Sequence, residues 1–293
     1  MARGLGRREF LKIGLGGGAM AGLAGTAFAS SAIPLSVASA GSMAAVMTGA
    51  LRQAARQHGW DLRGRAQGAT ALAELIASGA LRPDVFISIT GGPMQRVREA
   101  GKTERAVAIA RTEMTLAYAP QGRWAERLRR GPWWQVLQEP GFRLGRSDPR
   151  TDPQGRNIIY TCLLAEADYH QPGLAHRVLG DWIDPKQIFS ESTLEARVQS
   201  GQLDAVAAYR FQPAAYGMAA LPLPDAINLG SLPAAAAKLR VVFGSHVYRP
   251  EPLVFYAAAL TDASHPAAAR AFVVWLTRTQ AQSILHGAGY EHV

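Results

Sequence analysis

The chain has a single cysteine, Cys162, among its 293 residues. One thiol cannot form an intramolecular disulfide or a cysteine-based metal cluster, so Cys162 is interpreted as core filling. Acidic residues are also scarce, since 22 Asp and Glu face 31 Lys and Arg, for a formal net charge of +9. This balance suits an anionic ligand and does not by itself require nucleic acid as a partner.

Long apolar runs are absent as well. The most apolar stretch near the beginning, residues 13–26, is short and interrupted by six glycines, which makes it a poor membrane span. Over the whole chain, 48% of residues are apolar and 18% are charged. That mixture is ordinary for a globular protein and argues against a disordered, collagen-like or coiled-coil chain.

The first 29 residues have the pattern of an export signal. Arg7 and Arg8 are followed by Glu9-Phe10-Leu11-Lys12, which resembles the twin-arginine signal, and the apolar stretch ends in Ala27-Phe28-Ala29, a small-x-small cleavage pattern. We expect residues 1–29 to be removed, with the mature protein beginning near Ser30 in the periplasm. The alternatives are an uncleaved membrane anchor or an accidental arginine pair.

Apolar runs alternate with helical patterns along the rest of the chain, which predicts an α/β fold with a mostly parallel sheet. The predicted strands are residues 33–38, 84–88, 113–119, 142–145, 203–209, 240–244 and 253–258. The predicted helices are residues 43–58, 70–78, 133–137, 158–167, 193–201 and 266–286.

Two turns at the ends of predicted strands could bind an anion. Gly41-Ser42-Met43 lies between the first strand and a helix, where free N–H groups, a hydroxyl and a glycine suit an oxyanion. Ordinary capping of the helix by Ser42 explains the same residues equally well. Ser88 ends the second strand, at the edge where α/β sheets place ligands.

A third candidate is the turn Ser147-Asp148-Pro149-Arg150-Thr151-Asp152-Pro153-Gln154-Gly155-Arg156. Two Asp-Pro turns and Gly155 precede a helix, which leaves N–H groups and the Asp152 carboxylate at its opening. The alternative is a surface turn in which Asp152 only caps the helix.

Other patterns point to no further chemistry. The seven histidines show no metal-ligand spacing, and neither a Gly-x-Ser-x-Gly motif nor a phosphate-binding P-loop occurs in the sequence. Trp133 and Trp134 follow Arg129 and Arg130, and we interpret this cluster as core packing beside a basic rim. We expect no catalytic residue, no resident metal, no cofactor and no nucleic-acid partner.

The candidate turns resemble those of the molybdate/tungstate-binding proteins of ABC importers, in particular their archaeal-type branch. The matching segments, in order, are Ala40-Gly41-Ser42, Pro83–Ser88, Gly145–Gly155, Ser200–Asp204 with Tyr209, and Leu223–Gly230. They extend over roughly residues 33–260. Each segment is moderately specific, and together they are a strong signal.

The resemblance implies a type II periplasmic-binding-protein fold, in which two α/β lobes are joined by two crossing strands and enclose a ligand cleft. It supports a first lobe of residues 30–118 plus 240–293 and a second lobe of residues 119–239. An ABC transporter permease is the implied partner, and we expect a monomer.

The same resemblance implies a set of ligand-binding residues. Ser42 and Ser88 would donate hydroxyls, and the turn Gly41-Ser42-Met43 would add backbone N–H groups. Asp152, the N–H groups near Gly155, the phenol of Tyr209 and the helix opening at Ser192 would face the anion from the second lobe. Such neutral donors favour a deprotonated tetrahedral oxyanion, because a protonated one would need an acceptor.

Three positions depart from the family pattern. Ala208 stands where the archaeal-type branch has a second carboxylate before the tyrosine, Asn157 follows Arg156 where that turn would be Gly-Tyr-Arg, and Thr90 replaces an acidic residue. With one carboxylate, we expect four-coordinate rather than octahedral binding of the metal.

The sequence therefore predicts an extracytoplasmic solute-binding protein that captures molybdate or tungstate for ABC import. One alternative is the same fold binding sulfate, thiosulfate or a small organic anion, which the loss at Ala208 would favour. A second is an exported enzyme, and a third is a sensory role in which the closed form signals to a receptor.

Overall fold

Eleven strands and twelve α-helices are described between residues 32 and 293 in a computed structural model. The predicted export signal, residues 1–29, and the predicted start near Ser30 lie outside the described residues. Among the residues described, no helix combines the length and the apolar character needed to cross a membrane.

The strands are β1 (Ile33–Ala40), β2 (Trp60–Gln67), β3 (Val85–Ile89), β4 (Val107–Arg111), β5 (Met114–Tyr118), β6 (Leu144–Gly145), β7 (Ala205–Tyr209), β8 (Ala219–Pro222), β9 (Val241–Phe243), β10 (His246–Tyr248) and β11 (Val254–Ala259). The helices are α1 (Ala44–Thr48), α2 (Ala50–Gln57), α3 (Ala69–Ala77), α4 (Gly91–Glu99), α5 (Ala125–Arg130), α6 (Trp133–Val136), α7 (Pro153–Asp168), α8 (Leu174–Leu179), α9 (Leu194–Gln199), α10 (Gln212–Ala215), α11 (Pro266–Leu276) and α12 (Thr279–Gly287). Short 3₁₀ turns cover Gly41–Met43, Glu191–Thr193 and Ala234–Lys238.

The first sheet has the strand order β2-β1-β3-β11-β4. β1 pairs in parallel with both β2 and β3, because helices α1–α2 and α3 provide the crossovers that parallel neighbours need. β11 returns from far along the chain and pairs antiparallel with β3 and β4. The carboxyl ends of β1 and β3 therefore meet at one edge, which is where two of the candidate turns begin.

The second sheet has the order β6-β7-β5-β8. β6 and β7 are parallel, whereas β5 is antiparallel to both β7 and β8. Both sheets are thus mixed, and the expectation of a mostly parallel sheet is wrong, because β5 and β11 enter their sheets in the opposite direction.

The sheet pairings bear on the predicted lobe boundaries. β5 belongs to the second sheet. The first stretch of chain that contributes to the first sheet therefore ends at Arg111 of β4, and not at residue 118. The division into two lobes remains a prediction, and we propose that its first boundary lies between β4 and β5. The hairpin β9–β10 pairs with neither sheet and forms a two-stranded unit of its own.

Most predicted elements are present with shifted ends, and the differences have local causes. The predicted helix over residues 43–58 begins as a 3₁₀ turn and is divided at Gly49 into α1 and α2. The predicted terminal helix is divided into α11 and α12, because Arg278 adopts an extended conformation. β2 was not predicted, since its second half, Arg63 to Gln67, is polar and largely exposed at the sheet edge.

The largest cluster of buried apolar side chains extends through both sheets. It includes Leu35 of β1 and Phe255 of β11 from the first sheet, and Leu116 of β5 from the second. Cys162 is buried within it, and burial raises the pKa of its thiol to about 12, which fits the predicted packing role. The core therefore fixes the positions from which the candidate turns project.

Two direct contacts join helix α3 to α7 and to the turn before it. The N–H of Ala71 donates to the carbonyl of Thr151 at 3.1 Å, and the Arg156 guanidinium donates to the Thr70 hydroxyl at 2.8 Å. Gly68 makes the approach close, because a Cβ there would lie 2.6 Å from the Thr151 oxygen. The two sheets are consequently held with the ends of β1 and α7 facing each other.

Candidate functional site

The first part of the site is the turn at which β1 ends. β1 continues directly into the 3₁₀ turn Gly41–Met43, and all three residues are buried. The Ser42 side chain is 6% exposed, and its Oγ has no hydrogen-bond partner within residues 32–293. A buried hydroxyl without a partner is costly, so this position suits a group that hydrogen-bonds to it.

A second 3₁₀ turn brings an acidic side chain against the first. Glu191 is buried, and the backbone N–H of Ser42 lies close enough to its carboxyl to lower its pKa. The Glu191 Oε2 occupies the place where a Cβ of residue 41 would be, so the glycine leaves room for the carboxyl. Ser42 and Glu191 are thus brought together although 148 residues of chain separate them.

The third part of the site is the beginning of α7. Asp152 is the N-cap residue, and its Oδ1 accepts a hydrogen bond from the Gln154 N–H at 3.0 Å. Its Oδ2 is buried and has no hydrogen-bond partner among the described residues. Asp152 therefore caps the helix with one oxygen and keeps the other for a different group.

Asp152 and Glu191 form a buried carboxyl pair. Burial raises the pKa of both groups, and the charge of Asp152 raises the pKa of Glu191 further. Two adjacent carboxyls in a place shielded from water resist carrying two negative charges, so the pair favours holding a proton.

Tyr209, at the end of β7, completes the group. Its side chain is fully buried, and its hydroxyl accepts a hydrogen bond from Asn157 at 3.2 Å. Burial and the charges of Asp152 and Glu191 raise its pKa, so the phenol keeps its proton. Because Asn157 supplies the bond that the oxygen accepts, the phenol hydrogen remains able to donate to an anion.

A chain of buried amides supports these groups from behind. The Gln154 amide donates to Gln212 at 2.8 Å, and the Gln212 amide donates to Glu195 at 3.0 Å. Gln212 also accepts a bond from the Tyr209 backbone N–H at 2.7 Å. These contacts connect the start of α7 to the end of β7, so Asp152 and Tyr209 are positioned together.

One buried cation lies near the carboxyl pair. Arg156 donates to the Pro149 carbonyl at 2.7 Å and to Thr70, and its guanidinium lies 4.1 Å from the centroid of the Tyr248 ring. Its charge lowers the pKa of Asp152, against the effect of burial. The hydrogen bonds of Arg156 go to Pro149 and Thr70 and not to the carboxyl pair. Arg156 therefore affects the pair through its charge.

The structure brings Ser42, Asp152 and Tyr209 close to Glu191, and their role in binding a ligand stays a prediction. Ser192 lies at its margin, where its exposed hydroxyl bonds to Ser190 at 3.0 Å. Ser192 lines a cavity of about 500 Å³ together with Asp152 and Glu191. This cavity gives the carboxyl pair a route to solvent.

Three other predicted residues have different surroundings. The Ser88 hydroxyl donates to the Thr90 carbonyl at 3.2 Å, and the carboxylate of Glu251 accepts from the Gly92 N–H at the start of α4. A Cβ at Gly155 would overlap the Ser147 carbonyl oxygen, so this glycine allows α7 to pack on the preceding turn. The Met43 side chain is fully buried in the main core. Roles for Ser88, Gly155 and Met43 at the ligand remain predictions.

The sequence patterns did not indicate Glu191. Its presence bears on the prediction of a single carboxylate, which was based on Ala208. Ala208 is buried in β7 opposite Thr115 and packs in a small apolar cluster. The second carboxyl of the site comes instead from Glu191, one residue before the predicted Ser192. A single acidic residue at a helix opening looks like an ordinary cap in sequence, and only its burial distinguishes it. The structure thus places a second carboxyl beside Asp152, and the number of carboxylates that bind the ligand stays a prediction.

A second cavity lies on the other side of Ser42. Its volume is about 680 Å³, and its walls include Val46, Phe211, Ala214 and Tyr290. One cavity is thus lined in part by Ser42 and the other in part by Glu191. Within residues 32–293, no group of three or more His, Cys, Asp or Glu side chains is arranged to hold a metal ion.

The raised pKa of Glu191 predicts that stability falls with increasing pH. The folded state holds its proton more tightly than the unfolded chain, so the free energy of unfolding decreases as pH rises from about 5 towards 8. Burial raises the pKa of Asp204, but Arg143 and Arg123 bring it to about 2, so it stays ionised in this range.

Glu191→Gln should make this pH dependence shallower, by up to about 1.4 kcal/mol per pH unit, since one titrating group is lost. Urea unfolding of both proteins at several pH values measures the two slopes. Parallel slopes would show that the carboxyl pair does not hold the proton.

A profile of bacterial extracellular solute-binding proteins matches residues 35–291 of the chain, a range that includes every segment of the site. An uncharacterized solute-binding protein of Halobacterium salinarum is 28% identical over 92% of this chain and 87% of its own length. A molybdate/tungstate-binding protein of Thermococcus kodakarensis is 23% identical over 62% of this chain and 58% of its own length.

Solved structures with the same architecture include two anion-binding proteins. The periplasmic molybdate-binding protein of Azotobacter vinelandii has a TM-score of 0.61 and 17% identity, covering 87% of this chain and 98% of its own. The sulfate-binding protein SubI of Mycobacterium tuberculosis has a TM-score of 0.62 and 15% identity, covering 89% of this chain and 87% of its own. These similarities confirm the predicted type II periplasmic-binding fold.

Proposed function

Because the chain belongs to the family of bacterial extracellular solute-binding proteins, we propose that it captures molybdate or tungstate outside the cytoplasm for an ABC importer. The observation that supports this most is the meeting of Ser42, Asp152 and Glu191. Each contributes a buried side-chain oxygen that has no hydrogen-bond partner in the described protein. The name of the Thermococcus relative supports the same ligand.

The donor groups suit the oxygens of a tetrahedral oxyanion. The Ser42 hydroxyl and backbone N–H and the Tyr209 phenol can each donate to an oxygen of the ligand. The short 3₁₀ turn at Ser42 adds oriented peptide dipoles at the end of β1. Together these groups replace water around the anion without a cation in direct contact.

The carboxyl pair favours a metal oxyanion over sulfate. Molybdenum and tungsten can accept additional oxygen ligands, so one oxygen each from Asp152 and Glu191 could extend the tetrahedral anion towards octahedral coordination. Sulfur in sulfate does not expand its coordination in this way, so the carboxyl oxygens would gain no bond to it. We therefore propose octahedral coordination, in place of the four-coordinate binding expected from the sequence.

Binding and release need no bond to be made or broken in the ligand. The contacts of Ala71 with Thr151 and of Arg156 with Thr70 join elements on both sides of the cleft. We propose that the anion stabilises this closed arrangement, which the permease then recognises. Export through the twin-arginine route and a monomeric state remain predictions from the sequence.

A small organic anion is the second candidate ligand. The 680 Å³ cavity beside Ser42 has several apolar walls, including Val46 and Phe211, which a simple oxyanion would not need. A carboxylate bound at Ser42 could place an apolar group there. The solved sulfate-binding structure of the same fold supports testing sulfate and thiosulfate as well.

Calorimetry with a panel of anions tests the proposal. Molybdate and tungstate should bind, whereas sulfate, thiosulfate, phosphate and short organic acids should give little heat. X-ray absorption at the molybdenum edge should then show octahedral coordination in the complex and tetrahedral coordination in free molybdate. The absence of any response to molybdate and tungstate would contradict the proposed function.

Ser42→Ala should weaken molybdate binding by about 1–3 kcal/mol, because one hydrogen bond to a charged ligand is lost. The unliganded protein should keep its stability, since the Ser42 hydroxyl has no partner to lose. Titration calorimetry and thermal unfolding measure the two effects separately. An unchanged affinity would remove the Ser42 hydroxyl from the site.

A further inference from the structure

The hairpin β9–β10 has one buried and one exposed face. Val242 and Val247 are directly opposite each other in the antiparallel register, and they are 53% and 57% exposed. On the other face, Val241 is buried and Tyr248 covers the guanidinium of Arg156. Two large aliphatic side chains therefore lie side by side on a surface that faces solvent.

The chain segment that carries these valines is basic. Residues 226–250 contain no Asp or Glu, whereas they contain Lys238, Arg240, His246 and Arg249. Lys238 and Arg240 before the hairpin and Arg249 after it have exposed side chains. None of these three takes part in an ion pair among the described residues. An apolar pair with unpaired cations around it is complementary to a surface that combines apolar and acidic groups.

The hairpin also connects to both sides of the cleft. Tyr248 contacts Arg156 of α7, and Arg156 in turn bonds to Thr70 of the first-sheet helix α3. Immediately after the hairpin, Glu251 accepts a bond from Gly92 of α4 at 2.7 Å. The position of the hairpin therefore depends on how α7 lies relative to α3 and α4.

We propose that the exposed face of this hairpin docks on an acidic, partly apolar extracytoplasmic loop of the importer's membrane subunit, an inference that rests on the proposed function. The dependence of the hairpin on the cleft explains how that subunit distinguishes the loaded form from the empty one. A second copy of this chain is a poorer occupant, because it would bring like charges together. Two valines also offer little area for insertion into a lipid surface.

The test combines uptake with binding. Cells that produce the Val242→Asp, Val247→Asp double variant in place of the wild type are supplied with radiolabelled molybdate at limiting concentration. Uptake should fall at least about tenfold, since two charges enter an apolar contact and face acidic groups. The corresponding double lysine variant should lose clearly less, because its added charge has the favourable sign. The purified variants should bind molybdate like the wild type.

Val274→Asp is the matched control, since Val274 is also an exposed valine, at 50%, but lies on α11. Its uptake should be normal. Wild-type protein is also mixed with vesicles of phosphatidylglycerol and phosphatidylethanolamine, and no co-flotation is expected.

The outcomes separate the possibilities. Normal uptake by the double aspartate variant, or equal losses for aspartate and lysine, would overturn the docking surface while leaving the proposed function intact. Vesicle binding that the aspartates abolish would replace the membrane subunit with the lipid surface as the occupant. Failure of the wild type to bind molybdate would overturn the proposed function, and this inference with it.

Discussion

Asp152→Asn is expected to leave the protein folded and to weaken molybdate binding by about 2–3 kcal/mol, roughly 30- to 150-fold. Asparagine caps helices about as well as aspartate, so the bond to the Gln154 N–H survives. The lost feature is the carboxyl oxygen Oδ2, which has no partner in the described protein. Calorimetric titration measures the affinity, and chemical denaturation of the unliganded protein measures the fold.

Asp84→Asn provides a control with the opposite expected result. Asp84 is also buried, but its carboxylate accepts bonds from the Ser36 N–H, the Ser36 hydroxyl and the His265 N–H. These bonds lower its pKa against the effect of burial, so its charge contributes to stability. The variant should be less stable and should bind molybdate normally. If Asp152→Asn behaved in the same way, Asp152 would be a cap only.

Gly41→Ala is expected to remove high-affinity binding through a single methyl group. Gly41 does not have a positive φ, so alanine can adopt its backbone conformation. The new Cβ would, however, take the place of the Glu191 Oε2. The glutamate side chain can rotate away, so the fold should survive, but the carboxyl would no longer reach Ser42. We expect an affinity loss of about 2–3 kcal/mol, measured by titration with molybdate.

Gly64→Ala is the matched control for this variant. Gly64 lies in β2, where a Cβ would meet no atom of the described residues within 4 Å, and its φ is also not positive. Alanine there should leave affinity unchanged and should not lower the free energy of unfolding. An equal loss of affinity in both variants would show that the effect of Gly41→Ala is not local to the Glu191 contact.

The turn after β1 and the turn before α7 could be predicted from the sequence, because the signals for them are local. The apolar run before Gly41 predicts a buried strand, and a glycine and serine after it predict a turn. In the same way, the turn that contains Asp152 and Pro153 predicts a helix after it, although α7 begins at Pro153 and not at the predicted residue 158. Each of these signals depends on fewer than about ten neighbouring residues.

Glu191 could not be recognised because its role depends on residues far away in the chain. In sequence it is an acidic residue at the opening of a helix, a position favoured by the helix dipole. Its burial comes from the contact with Gly41, which requires the two sheets to face each other. Sequence patterns also place no constraint on which two turns meet across a cleft. Edge strand β2 was missed for a related reason, since pairing with β1 compensates for its polar second half.

The two acidic groups of the cleft come from turns and not from strands, and this location affects how the protein can diverge. Serine would keep a helix cap at position 152, and a short side chain at position 191 would leave more room beside Gly41. Both exchanges would leave every sheet pairing intact. The ligand contacts proposed for this protein could therefore change through substitutions in two turns, without a change in either sheet.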